Sequence, residues 1–94
     1  MMSNTDLEKK ILSCQDPIKL AKISDEAPEA QRLIAGHEKA DEILLRRLAG
    51  HGDKYVRYQV AKNTNTDRPT LKRLASDHEV IIREAARLNL ILKR

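Results

Sequence analysis

Aromatic residues are almost missing from this sequence: its 94 residues include two tyrosines and neither tryptophan nor phenylalanine. Any hydrophobic core must therefore come from Leu, Ile, Val and Ala, which favours thin helix-on-helix packing over a large globular core. A chain of this length suits one domain, and most of its helices have to share that core. We therefore expect a single domain over residues 1-94.

Several other features are scarce. Cys14 is the single cysteine, so no intramolecular disulfide can form, and a reducing, cytoplasmic setting is expected. The amino terminus lacks a basic region followed by an apolar run, and no apolar stretch approaches the roughly 20 residues of a membrane span. These absences predict a soluble protein without a membrane partner.

Signatures of catalysis are also lacking. The chain has no Gly-rich phosphate loop, no G-x-S-x-G elbow and no cysteine beside a plausible base. Its three histidines fall in separate corners and are not spaced as metal ligands. We therefore predict a non-catalytic protein with no catalytic, cofactor-binding or metal-binding residue. The histidines are His37, His51 and His78.

Positive charge is concentrated in one half of the chain. Lys and Arg total 18 against 14 for Asp and Glu, which gives a net charge of +4. Residues 1–47 carry 8 basic and 9 acidic side chains, whereas residues 48–94 carry 10 and 5, a net of +5. A basic half is compatible with nucleic acid or an acidic protein partner, and it is also common among ordinary soluble domains.

What the sequence does contain is a repeat. Val56–Asn63 can be written above Ile82–Asn89 at an offset of 26, with an apolar-Arg pair opening each block and Asn closing it. Leu45–Ala49 lies over Leu71–Ala75 at the same offset, and Ala30–His37 is a weaker copy of the first block. A period between about 20 and 50 residues is typical of stacked-repeat proteins.

The repeated residues resemble a known family. The run from Val56 to Thr66, followed by Pro69, Leu71, Leu74-Ala75, Asp77 and Ile82-Arg83, is similar to the leucine-rich repeat variant family. This resemblance implies an all-α, short right-handed α-solenoid of about 26-residue helix-pair repeats, akin to HEAT and armadillo arrays. Residues 28-94 would form the repeats, and residues 1-27 an N-terminal helical cap or degenerate repeat. Some members carry a cysteine-rich iron–sulfur module, which is not carried over to this chain.

Local signals mark where the helices begin and end. Thr5 and Glu8 have the spacing of a capping box, Asp16-Pro17 is typical of a helix start, and Asp53 can cap a helix over residues 54–62. Gly36 and Asn63 are expected to end their helices in the left-handed conformation. The last helix is predicted over about residues 79–92.

Basic and tyrosine positions supply a candidate binding surface. Arg57 and Arg83 occupy the same position in successive repeats. Their guanidinium groups either form a row that faces a ligand or each pair with a nearby acid as part of the structure, and we favour the second interpretation. Arg46-Arg47 superposes on Lys72-Arg73 at the repeat offset, and these two basic pairs form either a binding surface or a solvated helix face. Tyr58 aligns with a surface position and is either an exposed contact residue or, as we favour, a partly packed side chain with its hydroxyl in water, and Tyr55 is predicted in the core. The whole set is Arg46, Arg47, Arg57, Tyr58, Lys62, Lys72, Arg73, Arg83 and Arg87, with Arg32 nearby.

Three roles remain open at this stage. The first is recognition of a protein partner through the helix-lined face, and the alternative is nucleic-acid binding through the basic C-terminal half. The third is a homodimer, since the last helix is apolar on more than one face and no later repeat covers it. The candidate self-association residues are Leu88, Leu90, Ile91 and Leu92.

Overall fold

The fold is all-α, as the sequence predicts. A computed structural model describes residues 3–93, and these contain seven α-helices, one 3₁₀ turn and no strand. Met1, Met2 and Arg94, the ends of the predicted domain, lie outside the described residues. The helices are α1 Asn4–Leu12, α2 Pro17–Glu26, α3 Gln31–Ala35, α4 Glu42–Leu48, α5 Lys54–Lys62, α6 Arg68–Leu74 and α7 Val80–Leu92, and the 3₁₀ turn Pro28–Ala30 leads into α3.

Aspartate starts most of the helices. The side chains of Asp16, Asp41, Asp53 and Asp67 each accept a hydrogen bond from a backbone N–H in the first turn of α2, α4, α5 and α6. These bonds satisfy donors that have no partner within the helix. The capping box predicted at Thr5 is wrong, because Ser3 caps α1 by accepting from the N–H of Asp6.

The predicted left-handed helix ends are also wrong. Gly36 has φ −92° and Asn63 has φ −71°, and no residue with positive φ occurs between residues 3 and 93. Gly36 instead allows a close approach, since a Cβ there would lie 2.9 Å from Oε1 of Gln59. The role of Asn63 lies in its side chain, which bonds to an earlier part of the chain.

The helices form two layers. Helices α1, α3, α5 and α7 pack side by side in chain order, and we call this layer the odd row. Helices α2, α4 and α6, the even row, pack against its inner side. Apolar residues from both rows meet in one core, which includes Leu20, Ile34, Leu45, Val60, Leu71 and Ile82. Side chains that point outward from the two rows therefore lie on opposite faces of the molecule.

Polar side chains connect successive copies of the repeated block. Nδ2 of Asn63 donates to the carbonyls of Ala35 (2.9 Å) and His37 (3.0 Å), which lie 28 and 26 residues earlier. Asn89 repeats the pattern, donating to Ala61 and Asn63 at 2.9 Å each. These bonds explain why Asn closes both blocks, because the planar amide links two carbonyls of the preceding copy.

His37 makes the corresponding link one copy earlier. Its Nε2 lies 2.8 Å from the carbonyl of Ile11, again 26 residues away, while its Nδ1 accepts a hydrogen bond from the N–H of Lys39. A nitrogen that accepts carries no proton in the neutral ring, so Nε2 is the donor. We refer to His37, Asn63 and Asn89 as the side-chain ladder.

Acid should weaken the fold through three aspartates at helix starts and corners. Hydrogen bonds from Thr70 and Arg46 lower the pKa of Asp67 to about 2, and Arg32 and the N–H of Tyr55 lower the pKa of Asp53. The pKa of Asp77 is also lowered. Carboxylates whose folded pKa lies below the unfolded value of about 3.9 stabilise the fold above that pH, and this stabilisation is lost as pH falls through the folded pKa.

We therefore expect the free energy of unfolding, measured by urea titration with circular dichroism, to decline steadily from about pH 5 to about pH 2. Asp67→Asn should have a shallower decline than the wild type, because one of the three titrating groups is then missing. A wild-type profile that stays flat over this range would contradict the assigned role of the aspartates.

Candidate functional site

An apolar groove runs between α5 and α7 on the outer face of the odd row. Helix α5 turns Val56, Val60 and Ala61 toward the core, so Tyr58 and Lys62 point outward. Helix α7 likewise turns two residues inward and leaves its opposite side exposed. The groove has a volume of about 540 Å³ and is lined mainly by Tyr58, Lys62, Ile81, Ala85, Leu88 and Leu92.

The groove is open because α7 has a short side chain where α5 has a long one. Between α3 and α5, Gln59 reaches across to Gly36, and Arg32 covers the Tyr55 ring with its guanidinium carbon 4.5 Å from the ring centroid. The residue that aligns with Gln59 in the next copy is Ala85. A methyl group cannot span the same gap, so space remains beside Lys62.

The exposed side of α7 is far more apolar than the same side of α5. Ile81 is 56% exposed, Leu88 57% and Leu92 70%. The residues of α5 that align with Ile81 and Leu88 are Tyr55 and Lys62, and both carry polar groups. Single exposed apolar residues are ordinary, but several on one helix beside a groove are typical of an interaction site.

Two lysines stand at one end of the groove. Nζ of Lys62 lies 5.0 Å from the centroid of the Tyr58 ring, and Nζ of Lys93 donates to the carbonyl of Thr64 at 2.7 Å. Within residues 3–93, neither ammonium group has an ion-pair partner. Glu84, also in the lining, pairs with Arg87 at 3.4 Å. This end of the groove therefore carries positive charge.

Arg57 does not belong to any exposed surface. It is 7% exposed, and its Nε and Nη2 donate to the two carboxylate oxygens of Asp77 at 2.8 and 3.2 Å. Its Nη1 donates to the carbonyls of His51 and Gly52. Placing Arg57 in the binding surface is therefore corrected, and the favoured alternative of a structural pair with an acid describes it.

The ion pair with Arg57 also contributes to the lowered pKa of Asp77. Burial acts to raise the pKa of this carboxyl, but hydrogen bonds from Arg57 and from the N–H of Glu79 outweigh burial and hold the pKa below its ordinary value. Arg83, the repeat counterpart of Arg57, is partly buried and donates through Nη1 to the carbonyl of Asp77 at 2.9 Å. The two arginines thus converge on one corner rather than forming a ladder toward a ligand.

The remaining basic residues are divided between two faces. Arg46, Arg47, Lys72 and Arg73 are exposed on α4 and α6 of the even row. Arg46 pairs with Asp67 and Arg47 with Asp25, each at 2.7 Å. Lys62 and Arg87, like Arg32, lie on the odd row. The two superposed basic pairs therefore lie together on the even row, whereas Lys62, Arg87 and Arg32 belong to the other row.

One tyrosine and one leucine also differ from the sequence-based expectation, while Tyr58 is partly packed, as favoured. Tyr55, predicted in the core, is 52% exposed, whereas Tyr58 is partly buried and packs against the core. Among the candidate self-association residues, Leu88, Ile91 and Leu92 are exposed, but Leu90 packs against the core.

Sequence reasoning misses three residues that define the groove: Ile81, Ala85 and Lys93. These residues could be found from the sequence by looking for positions at which successive repeat copies differ, rather than for positions at which they match. Tyr55 becomes Ile81, Gln59 becomes Ala85, and Asp67 becomes Lys93 at an offset of 26. Each change removes polarity, bulk or negative charge from the same end of the molecule.

Comparison with protein-family profiles, with curated proteins and with solved structures returns no match to this chain. Among residues 3–93, no group of three or more His, Cys, Asp or Glu side chains is arranged to hold a metal ion. No helix in the same range combines the length and apolar character needed to cross a bilayer. Function therefore has to be argued from the groove and its charges.

Proposed function

We propose that this protein is a non-catalytic interaction module that binds a helical segment of a protein partner in the groove between α5 and α7. The observation that carries this proposal is the row of exposed apolar residues, Ile81, Leu88 and Leu92, beside an open cleft. Helix-in-groove recognition uses such apolar grooves to hold side chains spaced i, i+3, i+4 and i+7 on the partner.

The proposed scaffold is a short right-handed α-solenoid with a repeat offset of 26, similar to the leucine-rich repeat variant, HEAT and armadillo arrays. The side-chain ladder supports it, since His37, Asn63 and Asn89 each bond to a carbonyl 26 residues earlier. Stacked repeats expose long helix-lined surfaces that commonly serve as binding sites. The lone thiol of Cys14 fits a cytoplasmic setting for this module.

The dimensions of the groove suit a short helix. Helix α7 has 13 residues, which corresponds to a length of roughly 20 Å at about 1.5 Å per residue. A partner of three to four turns would therefore extend along the whole groove. Such a contact is small, so we expect a transient interaction in which a few apolar anchors provide most of the affinity.

Nucleic-acid binding is the alternative function. Lys72 and Arg73 on α6 support it, because neither is in an ion pair within the described chain. Support is reduced by Arg46 and Arg47, whose charges are offset by Asp67 and Asp25. Binding to a random DNA duplex that is lost in Lys72→Ala/Arg73→Ala and falls steeply with salt would favour this alternative.

The proposed binding of a helix in the groove is tested by introducing into α7 the lysine that α5 carries at the equivalent repeat position. Leu88→Lys reproduces Lys62 at the equivalent position, and because Leu88 is exposed, the free energy of unfolding should change by less than about 0.5 kcal/mol. Binding to helical peptides selected from a randomised displayed library should nevertheless fall at least about tenfold, since a charge in an apolar cleft must lose its hydration.

Ile43→Lys is the matched control, because Ile43 is 64% exposed but lies on α4 of the even row. The selected peptides should bind this variant as they bind the wild type. A library that yields no binder, or binders that Leu88→Lys leaves unaffected, would contradict the proposed function.

A further inference from the structure

We infer that the partner helix presents acidic residues in its first turn to Lys62 and Lys93 and lies antiparallel to α7. This inference rests on the proposed function, because it specifies the chemistry of the segment that the groove binds. It adds two properties that an apolar groove alone does not determine, namely the charge of the partner and its direction.

The first support is that no acid offsets the charge of Lys62 or Lys93; within residues 3–93 the ion pairs are formed by arginines and one histidine, and no lysine takes part in one. Arg32, Arg46, Arg47 and Arg57 each form an ion pair with an aspartate at 2.7 or 2.8 Å. Lys62 and Lys93 instead contact an aromatic ring and a carbonyl oxygen, and both are neutral groups. Among residues 3–93, no carboxylate forms an ion pair with either ammonium group at the groove.

The repeat shows that this charge is a local departure from the pattern. Asp41 and Asp67 occupy successive copies of one position, and the next copy of that position is Lys93. The preceding acids cap helices and, in the case of Asp67, neutralise Arg46. Lys93 reverses this charge beside the groove, so a ligand carboxylate meets a cation where the earlier copies have an aspartate.

The direction follows from the positions of the two lysines. Asn89, near the end of α7, donates to carbonyls of Ala61 and Asn63 at the end of α5, so the two helices run side by side in the same direction. Lys62 and Lys93 therefore stand together at the C-terminal ends of both helices. A partner helix laid antiparallel places its N-terminus there, where acidic side chains are favoured by its own dipole and are common in the first turn.

A second copy of this protein fits the groove less well. Its most apolar exposed helix is α7, which has Glu79 as its N-cap but no acidic residue in its first turn, and which carries Arg83 and Arg87 against Glu84. An antiparallel second copy would bring a single carboxylate, that of Glu79, to the two lysines, with no further acid in its first turn. The charges therefore favour a different, acidic partner over the homodimer expected from the apolar last helix.

The experiment uses three synthetic helical peptides, each about four turns long, with the same leucine stripe. The first has two glutamates in its first turn, the second has two lysines there, and the third has the glutamates in its last turn. Affinities for the wild-type protein are measured by isothermal titration at low and physiological salt. Lys62→Glu/Lys93→Glu serves as the charge-reversed protein.

We expect the first peptide to bind about fivefold more tightly than the other two at low salt, because exposed ion pairs contribute modestly, and the difference should shrink as salt rises. The charge-reversed protein should prefer the lysine peptide instead. Equal affinity for all three peptides, with binding still lost in Leu88→Lys, would overturn this inference while leaving the groove proposal intact.

Failure of every peptide to bind would overturn both. The native mass of the free protein, measured by analytical ultracentrifugation, shows whether a second copy of the protein binds in the groove instead. A dimer that Leu88→Lys converts to monomer would mean that a second copy fills the groove, and the inferred acidic partner would then be wrong.

Discussion

Replacing Asn63 with alanine is expected to lower the free energy of unfolding by about 3 kcal/mol. The side chain is buried and donates to two carbonyls of the preceding copy, while its Oδ1 accepts from the N–H of Asn65. The variant leaves these groups without partners in the interior, where each costs about 1–3 kcal/mol. Because small domains are stable by only about 5–15 kcal/mol, this is a large fraction of the total.

Urea unfolding followed by circular dichroism measures the effect, and Asn65→Ala is the matched control. Asn65 also donates to two backbone carbonyls, those of Glu38 and Ala40, but it is exposed and water can replace it. Its loss should cost about 1 kcal/mol. Equal costs for the two asparagines would contradict the structural importance of the side-chain ladder.

Arg57→Met is expected to have a comparable or larger effect, of about 3–5 kcal/mol. It removes the cation from a buried, two-bonded ion pair and leaves the Asp77 carboxylate in the interior without its main partner. The remaining N–H of Glu79 satisfies only part of this charge. The loss should be smaller at acid pH, where Asp77 becomes protonated and no longer needs a cation.

The exposed pair of Arg46 and Asp67 provides the comparison for this prediction. Its contact distance is just as short, 2.7 Å, but the arginine side chain is largely in water, so Arg46→Met should lower the free energy of unfolding far less than Arg57→Met. Similar losses for the two variants would mean that burial of the Arg57 pair has little energetic consequence. Combining Arg57→Met with Asp77→Leu should recover part of the loss, since no unpaired charge then remains.

Much of the secondary structure can be predicted from the sequence because its signals are local. The aspartate caps at Asp16 and Asp53 are predicted correctly, since a cap needs only the residue and the turn that follows it. The helix ends at Gly36 and Asn63 are predicted for the wrong reason. A preference for left-handed backbone explains both residues equally well, and only the packed structure shows that they contact Gln59 and the preceding copy.

The candidate site is harder to predict, because exposure depends on which copies are neighbours. Aligning Tyr55 with Ile81 predicts a core position because isoleucine is apolar, yet both side chains are more than half exposed. The candidate basic residues do not all share one face, because alternate helices belong to opposite layers. Comparing successive copies for loss of bulk or charge, as at Ala85 and Lys93, is what locates the groove.

The most direct test of the account is amide chemical-shift mapping by NMR during titration with the glutamate-headed peptide. Binding in the groove predicts shift changes concentrated on α5 and α7, at Tyr58, Lys62, Ala85, Leu88 and Lys93, with α4 and α6 unchanged. Changes concentrated on α4 and α6, around Lys72 and Arg73, would place recognition on the opposite face and contradict the proposed function.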